Sequence, residues 1–249
     1  MDGAREAPEG APAGGDARRG AVLMLFGEGA EGGELVLTER AHHMRSHPGQ
    51  VSFPGGSVDP GETAVEAALR EAWEEIGVDP GGVEVFGTLP ELWLPPSNFA
   101  VTPILGWWRE PAPVRVASPD EVHEIHRVPL RELFDPEHRI AVRHPGGWTG
   151  PGVLIGPDTD VILWGFTGGI LTRFFDFLGW LPPISDPPVH VLPDYMLGEY
   201  ARRTSATTND DGDGADGMDL LEPNRPGGSR PDANWPGMTR PDADRGRDA

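Results

Sequence analysis

Residues 70–77, "REAWEEIG", place three glutamates in a short run that ends in glycine. In a helix Glu71, Glu74 and Glu75 stand at i, i+3 and i+4, so their carboxylates project from one side. Like charges at that spacing each cost an isolated helix about 0.2 to 0.5 kcal/mol. They also lie near the negative end of the helix dipole, where anions are disfavoured again. A divalent cation compensates such crowding: two carboxylates about 6 Å apart repel by roughly 3 kcal/mol at an effective dielectric of 20, and a doubly charged ion between them reverses the sign. An all-oxygen donor set favours Mg²⁺ or Mn²⁺. The ordinary explanation of such a cluster is a solvated acidic helix face, so its surroundings decide between the two.

The helix that must carry these residues is well marked. Residues 62–78, "ETAVEAALREAWEEIGV", open on a Thr63 and Glu66 capping box and stop at Gly77. Val65, Leu69, Ala72 and Ile76 follow helical spacing, which predicts an apolar stripe nearly opposite the face of Glu71 and Glu75. Ahead of it, "FPGGSVDPGE" is a glycine-rich turn that brings backbone close to the helix start.

Around this helix, 21–27 and 34–40 read as a β-hairpin, and 51–53 as a brief extended piece. Further strands are expected at 83–89, 99–108, 121–130, 138–144 and 160–166, a helical turn at 131–134, and helices at 168–180 and 192–203. Many strands around few helices predict a mixed α/β layered domain. Residues 1–20 and 204–249 are poor in apolar side chains and rich in Gly, Pro and charge. They are expected to stay disordered, which leaves one domain over 21–203.

The chain has 249 residues and a net charge of -20, with 40 acidic residues against 20 basic ones, all arginine. Such a surface repels phosphate backbones, which argues against general nucleic-acid binding. Without cysteine there is no disulfide, thiol catalysis or thiolate-held zinc, as suits a cytoplasmic protein. The N-terminus lacks a signal-peptide core, and the most apolar run is broken by Arg173 and Asp176, so no membrane association is expected.

Residues 56–78 match G-x5-E-x7-R-E-U-x-E-E-x-G-U, U being apolar, at all nine fixed positions, with Ala72 as the first apolar one. This resembles the Nudix box of hydrolases that cleave a nucleoside diphosphate linked to another moiety. The resemblance implies a Nudix-type α/β/α sandwich with a mixed β-sheet and a loop-helix-loop catalytic motif. It also implies that Glu71, Glu74, Glu75 and the Gly55 carbonyl bind the metal ions bridging the substrate's diphosphate, while Glu62 and Arg70 form an orienting ion pair. The proton acceptor varies within the family: Glu75 or Glu71 is the candidate here, with Glu121 and Glu124 as alternatives outside the box.

A second signature precedes the box. Residues 36–56, "VLTERAHHMRSHPGQVSFPGG", match L-L-T-x-R-[S/A]-x3-R-x3-G-x3-F-P-G-G with Val36 for the first Leu, and so resemble the coenzyme A diphosphatase subfamily. The implied substrate is coenzyme A or a thioester, with Arg40, Arg45 and His47 admitting its phosphates. For His42, His43 and His47 the ordinary explanation is loop histidines, since no zinc-type spacing with carboxylates is visible. Trp93, Trp107, Trp108 and Trp164 could stack on an adenine but are more often core; Ser97 and Asn98 fit a simple turn. The alternatives are a Nudix hydrolase acting on ADP-ribose, NADH or a nucleoside triphosphate, and a catalytically inactive Nudix-fold ligand sensor. The resemblance also permits a homodimer.

Overall fold

The structure, a computed structural model, describes residues 17–44, 46–94, 98–145 and 147–197. The expected disordered tail, most of the expected N-terminal segment, Arg45 and Ser97 lie outside the described residues.

The larger sheet grows from a long hairpin, β1 (Arg18–Gly29) and β2 (Gly32–Arg40), paired antiparallel from Leu25↔Val36 to Gly29↔Gly32. β1 starts at Arg18, inside the segment expected to be unstructured, because parallel pairing with β7 (Phe99–Trp108) already begins at Arg18↔Phe99. β3 (Val51–Ser52) and β8 (Val122–Pro129) pair with β2, β4 (Gly55–Ser57) pairs with β1, and β5 (Val83–Thr88) and β6 (Leu92–Leu94) pair with β7. One parallel pair among antiparallel ones makes the sheet mixed.

Alternation along its central strands sorts side chains onto two faces. Leu23, Leu25, Val36 and Ile104 meet Ala67, Ala68, Ala72 and Ile76 of α1 (Ala64–Ile76). Met24, Leu35, Leu37 and Leu105 meet Ile170, Leu171 and Phe175 of α3 (Gly165–Phe177) and Leu133 of the short α2 (Leu130–Phe134). The sheet is therefore covered by helix on both sides, as the family resemblance implied. On the α3 side lies a second sheet of β9 (Arg139–Arg143), β10 (Thr149–Ile155), β11 (Val161–Leu163) and β12 (Val189–Val191), ordered β11-β10-β9-β12.

β4, β6, β10 and β12 escaped the sequence reading. β10 contains Gly150, Pro151 and Gly152, which argue against a strand, yet it is held between β9 and β11; tertiary pairing overrides local propensity here. α3 starts at Gly165 instead of 168, since a continuous apolar run does not mark where strand gives way to helix. Of the helix expected over 192–203, a 3₁₀ turn at Asp194–Leu197 is described. Among the described residues no helix is long and apolar enough to cross a membrane.

α1 forms where its caps predict. Thr63 Oγ1 accepts from the Glu66 N–H at 3.2 Å, and Glu66 Oε2 accepts from the Thr63 N–H at 2.8 Å, a reciprocal cap worth about 1 kcal/mol. At the other end the Glu75 carbonyl accepts from the Ala117 N–H at 2.9 Å and the Ile76 carbonyl from the Arg115 N–H at 3.2 Å. The helix's last carbonyls are thus satisfied by the segment leading into β8, which fixes Glu121 near the end of α1.

Candidate active site

Glu75 does not face away from the core. It is 6% exposed and shares the buried stripe with Ala68 and Ala72, so the expectation that it faces away from the core is corrected. Seven residues from Ala68 is almost two full turns, which returns Glu75 to the same side; the alanines are small enough to leave a carboxylate room beneath the sheet. Glu71 is largely buried too, its side chain 17% exposed, whereas that of Glu74 is 54% exposed.

The glycines of the preceding turn shape this pocket. Gly55 donates its N–H to Glu75 Oε2 at 3.2 Å. A Cβ on Gly56 would lie 2.4 Å from Glu71 Oε1, so the Glu71 carboxylate occupies the space that any side chain there would fill. Gly56→Ala is expected to leave the melting temperature nearly unchanged, since a flexible carboxylate can move aside, but to lower kcat/KM roughly 10- to 100-fold because Glu71 loses its position. Thermal melts and steady-state kinetics on the same preparation check both halves.

Arg70 binds the acidic side chains together. Its Nε and Nη2 donate to the two oxygens of Glu62 at 2.9 and 3.1 Å, a bidentate pair, while Nη1 donates to Glu71 Oε1 at 3.0 Å and Glu74 Oε2 at 3.1 Å. Nη2 also donates to the Ser57 carbonyl at 3.0 Å, which ties the glycine turn to the helix. These hydrogen bonds hold the Glu62 carboxyl below its usual range and keep Arg70 more firmly protonated.

The carboxylates further inside behave oppositely. Burial pushes Glu71 up despite Arg70. Burial first, and the charges of Glu71 and Glu121 next, push Glu75 up to about 8, against the lowering effects of the Gly55 N–H and of Arg40. Arg40 is therefore close enough to act on Glu75 electrostatically, and its Nε is buried without a hydrogen-bond partner among the described residues.

These features fit a divalent cation: the donors are all oxygen, burial first and neighbouring carboxylates next hold the Glu75 carboxyl up at about 8, and the glycine turn lets the Glu71 carboxylate lie against its backbone. Glu71, Glu74, Glu75 and the Gly55 carbonyl are the residues that would hold it.

The remaining candidates divide. Glu121 is exposed beside the site and acts electrostatically on both Glu71 and Glu75. Glu124 does not join it: strand alternation and a register shift put it with Glu39 and His126 instead. His47 is exposed in the turn before β3, with Nδ1 3.1 Å from Gln50 Oε1. Trp108 is core and 2% exposed, Trp164 is buried against Trp148, and Trp107 is 38% exposed. Asn98 accepts from the Arg18 N–H through its carbonyl at 2.9 Å. What sequence reading missed is the environment of His42, which is no isolated loop histidine: its Nε2 lies 2.5 Å from Glu39 Oε1.

Comparison with known proteins agrees with the geometry. Residues 16–147 match the NUDIX domain family. The chain is 37% identical over 170 residues to a protein of Enterobacter sp. (strain 638) described as "Uncharacterized Nudix hydrolase NudL", covering 66% of this chain and 85% of that one. It is 45% identical over 102 residues to "Nudix hydrolase 3" of Caenorhabditis elegans, of whose length it spans 42%, with 40% of this chain matched. Among solved structures, a Nudix hydrolase from M. Smegmatis, RenU, aligns over 68% of this chain and 91% of its own at 18% identity, with a TM-score of 0.48. A family match across more than half the chain, around a cluster of glutamates, identifies the protein as a member of the Nudix hydrolase family, an enzyme acting on phosphorus anhydrides.

Proposed function

We propose that the chain hydrolyses the diphosphate bond of coenzyme A or its thioesters, yielding 3′,5′-ADP and 4′-phosphopantetheine or its acylated form, with Mg²⁺ or Mn²⁺. The reaction is assigned to the cytoplasm. The observation that carries this reading is the segment 36–56. Its subfamily pattern runs in register through β2 and the glycine turn, and it delivers Arg40, with an unpaired buried Nε, beside Glu75.

Glu71, Glu74, Glu75 and the Gly55 carbonyl would hold a divalent cation, which would supply charge neutralisation for the diphosphate and activation of water. The protein's own groups do the rest. Arg70 fixes Glu71 and Glu74 and is itself fixed by Glu62, so the acidic cluster keeps its shape as substrate arrives. Glu75 Oε2 is engaged by the Gly55 N–H, which leaves Oε1 to accept the proton of the attacking water. Arg40 gives the anionic substrate a cationic partner in a chain of net charge -20, a role we extend to Arg45 and His47.

Incubation with coenzyme A and Mn²⁺, followed by chromatographic separation, should release 3′,5′-ADP. Parallel incubations with 3′-dephospho-coenzyme A, ADP-ribose, NADH and nucleoside triphosphates discriminate substrates. Rapid turnover of one of these without 3′,5′-ADP from coenzyme A refutes the substrate assignment while leaving the hydrolase in place.

A further inference from the structure

On the face of the sheet opposite α1, the end of β2 meets β8 in a second cluster of ionisable groups. Glu39 follows Leu35 and Leu37 on the α3 side, whereas Arg40 turns toward α1. Glu39 is 6% exposed, and each of its oxygens has an imidazole against it: His42 Nε2 at 2.5 Å from Oε1 and His126 Nε2 at 3.0 Å from Oε2. Those two contacts alone describe a satisfied buried carboxylate.

His123 is what they leave unexplained. The pairing of β2 with β8 passes from Glu39↔Glu124 to Arg40↔Val122, so His123 is the extra residue of a β-bulge, a device that re-aims a side chain. Its ring lies 4.3 Å from that of His42. One ligand atom each from Glu39, His42 and His123 fall within 4.8 Å of one another. Tetrahedral zinc with donors at about 2.0 to 2.1 Å needs separations of about 3.3 Å, within reach of a small side-chain adjustment. The opening is accessible, since the His42 side chain is 45% exposed and His123 is exposed, while the carboxylate beneath is anchored by His126, whose side chain is 10% exposed. Anchoring a ligating carboxylate by a further hydrogen bond is a recurrent feature of metal sites.

We infer that Glu39, His42 and His123 form a second metal site, distinct from the acidic cluster on α1, which takes a zinc-class divalent cation. Two imidazole nitrogens select for zinc over magnesium, whereas the α1 cluster offers oxygen only. Binding would tie the turn after β2 to the bulge of β8, one residue from Arg40. The site stands whatever the diphosphate substrate proves to be.

The test is zinc binding to the full, chelator-stripped chain in excess Mg²⁺, measured by equilibrium dialysis with elemental analysis. Co²⁺ visible absorption reports the ligand set, and melting temperature is read alongside. The expected result is one retained zinc per chain, a tetrahedral Co²⁺ spectrum and a raised melting temperature. His42→Ala and His123→Ala should each weaken zinc binding by about 10- to 100-fold or more, and Glu71→Gln should leave it unchanged. Both histidines are exposed, so their variants should keep the native circular dichroism spectrum. Zinc affinity unchanged in the two histidine variants, or lost in Glu71→Gln, overturns the proposal.

Discussion

Replacing Glu75 by Gln is expected to lower kcat/KM by roughly 10² to 10⁴ while making the metal-free protein more stable at pH 8. The two effects share one cause. Glu75 is buried beside Glu71 and within range of Glu121, which pushes its carboxyl from 4.5 up to about 8. Between those values the metal-free folded protein holds a proton that the unfolded chain has released. Stability therefore falls as pH rises from about 4.5 to about 8, by up to about 1.4 kcal/mol per pH unit and on the order of a few kcal/mol in total. Above pH 8 both states are ionised and the loss is complete. Gln cannot ionise, so urea denaturation of Glu75→Gln in chelator should show a flatter pH profile across this window. Mg²⁺ or Mn²⁺ should flatten the wild-type profile as well, by stabilising the ionised carboxylate. Undiminished turnover in Glu75→Gln would remove Glu75 from the chemistry; parallel pH profiles would remove it as the source of the instability.

Gly55→Ala should damage the fold itself. Gly55 has φ +156, and a Cβ there would lie 2.4 Å from the Ala21 carbonyl oxygen and 2.7 Å from Val22 Cα. Both are backbone atoms of β1, which is paired on both sides and cannot yield. Strain and overpacking together cost roughly 2 to 5 kcal/mol. For a domain of this size that lowers the melting temperature by roughly 5 to 15 °C, and it pulls the N–H donor away from Glu75. The contrast with Gly56→Ala is informative, because there the obstructing atom is a movable carboxylate. Adjacent glycines thus serve different ends, one setting the approach of two strands and the other making room for Glu71. Equal melting temperatures for the two variants would contradict this division.

The local parts of the site were legible in the sequence because they depend on residues near one another along the chain. The capping box fixed where α1 begins, Gly77 where it stops, and helical spacing put Glu71 and Glu74 on one side, while the pairing of Glu62 with Arg70 was what the family resemblance implied. Two short β-prone runs, 21–27 and 34–40, separated by the glycine-containing 28–33, were enough to give the hairpin. Where a sheet lies against the helix is a different matter. Helical spacing puts Glu75 on the side of Ala68 and Ala72, but how deeply that side is buried follows from the packing of α1 against the sheet and the glycine turn. β10 formed against its own glycines and proline because neighbours on both sides offered hydrogen bonds. The meeting of Glu39 with His123 and His126 required strands more than eighty residues apart in sequence to pair with a one-residue bulge. Spacing along a chain encodes contacts within a helix or hairpin; contacts across strands depend on register, which is set by the packing of the whole sheet.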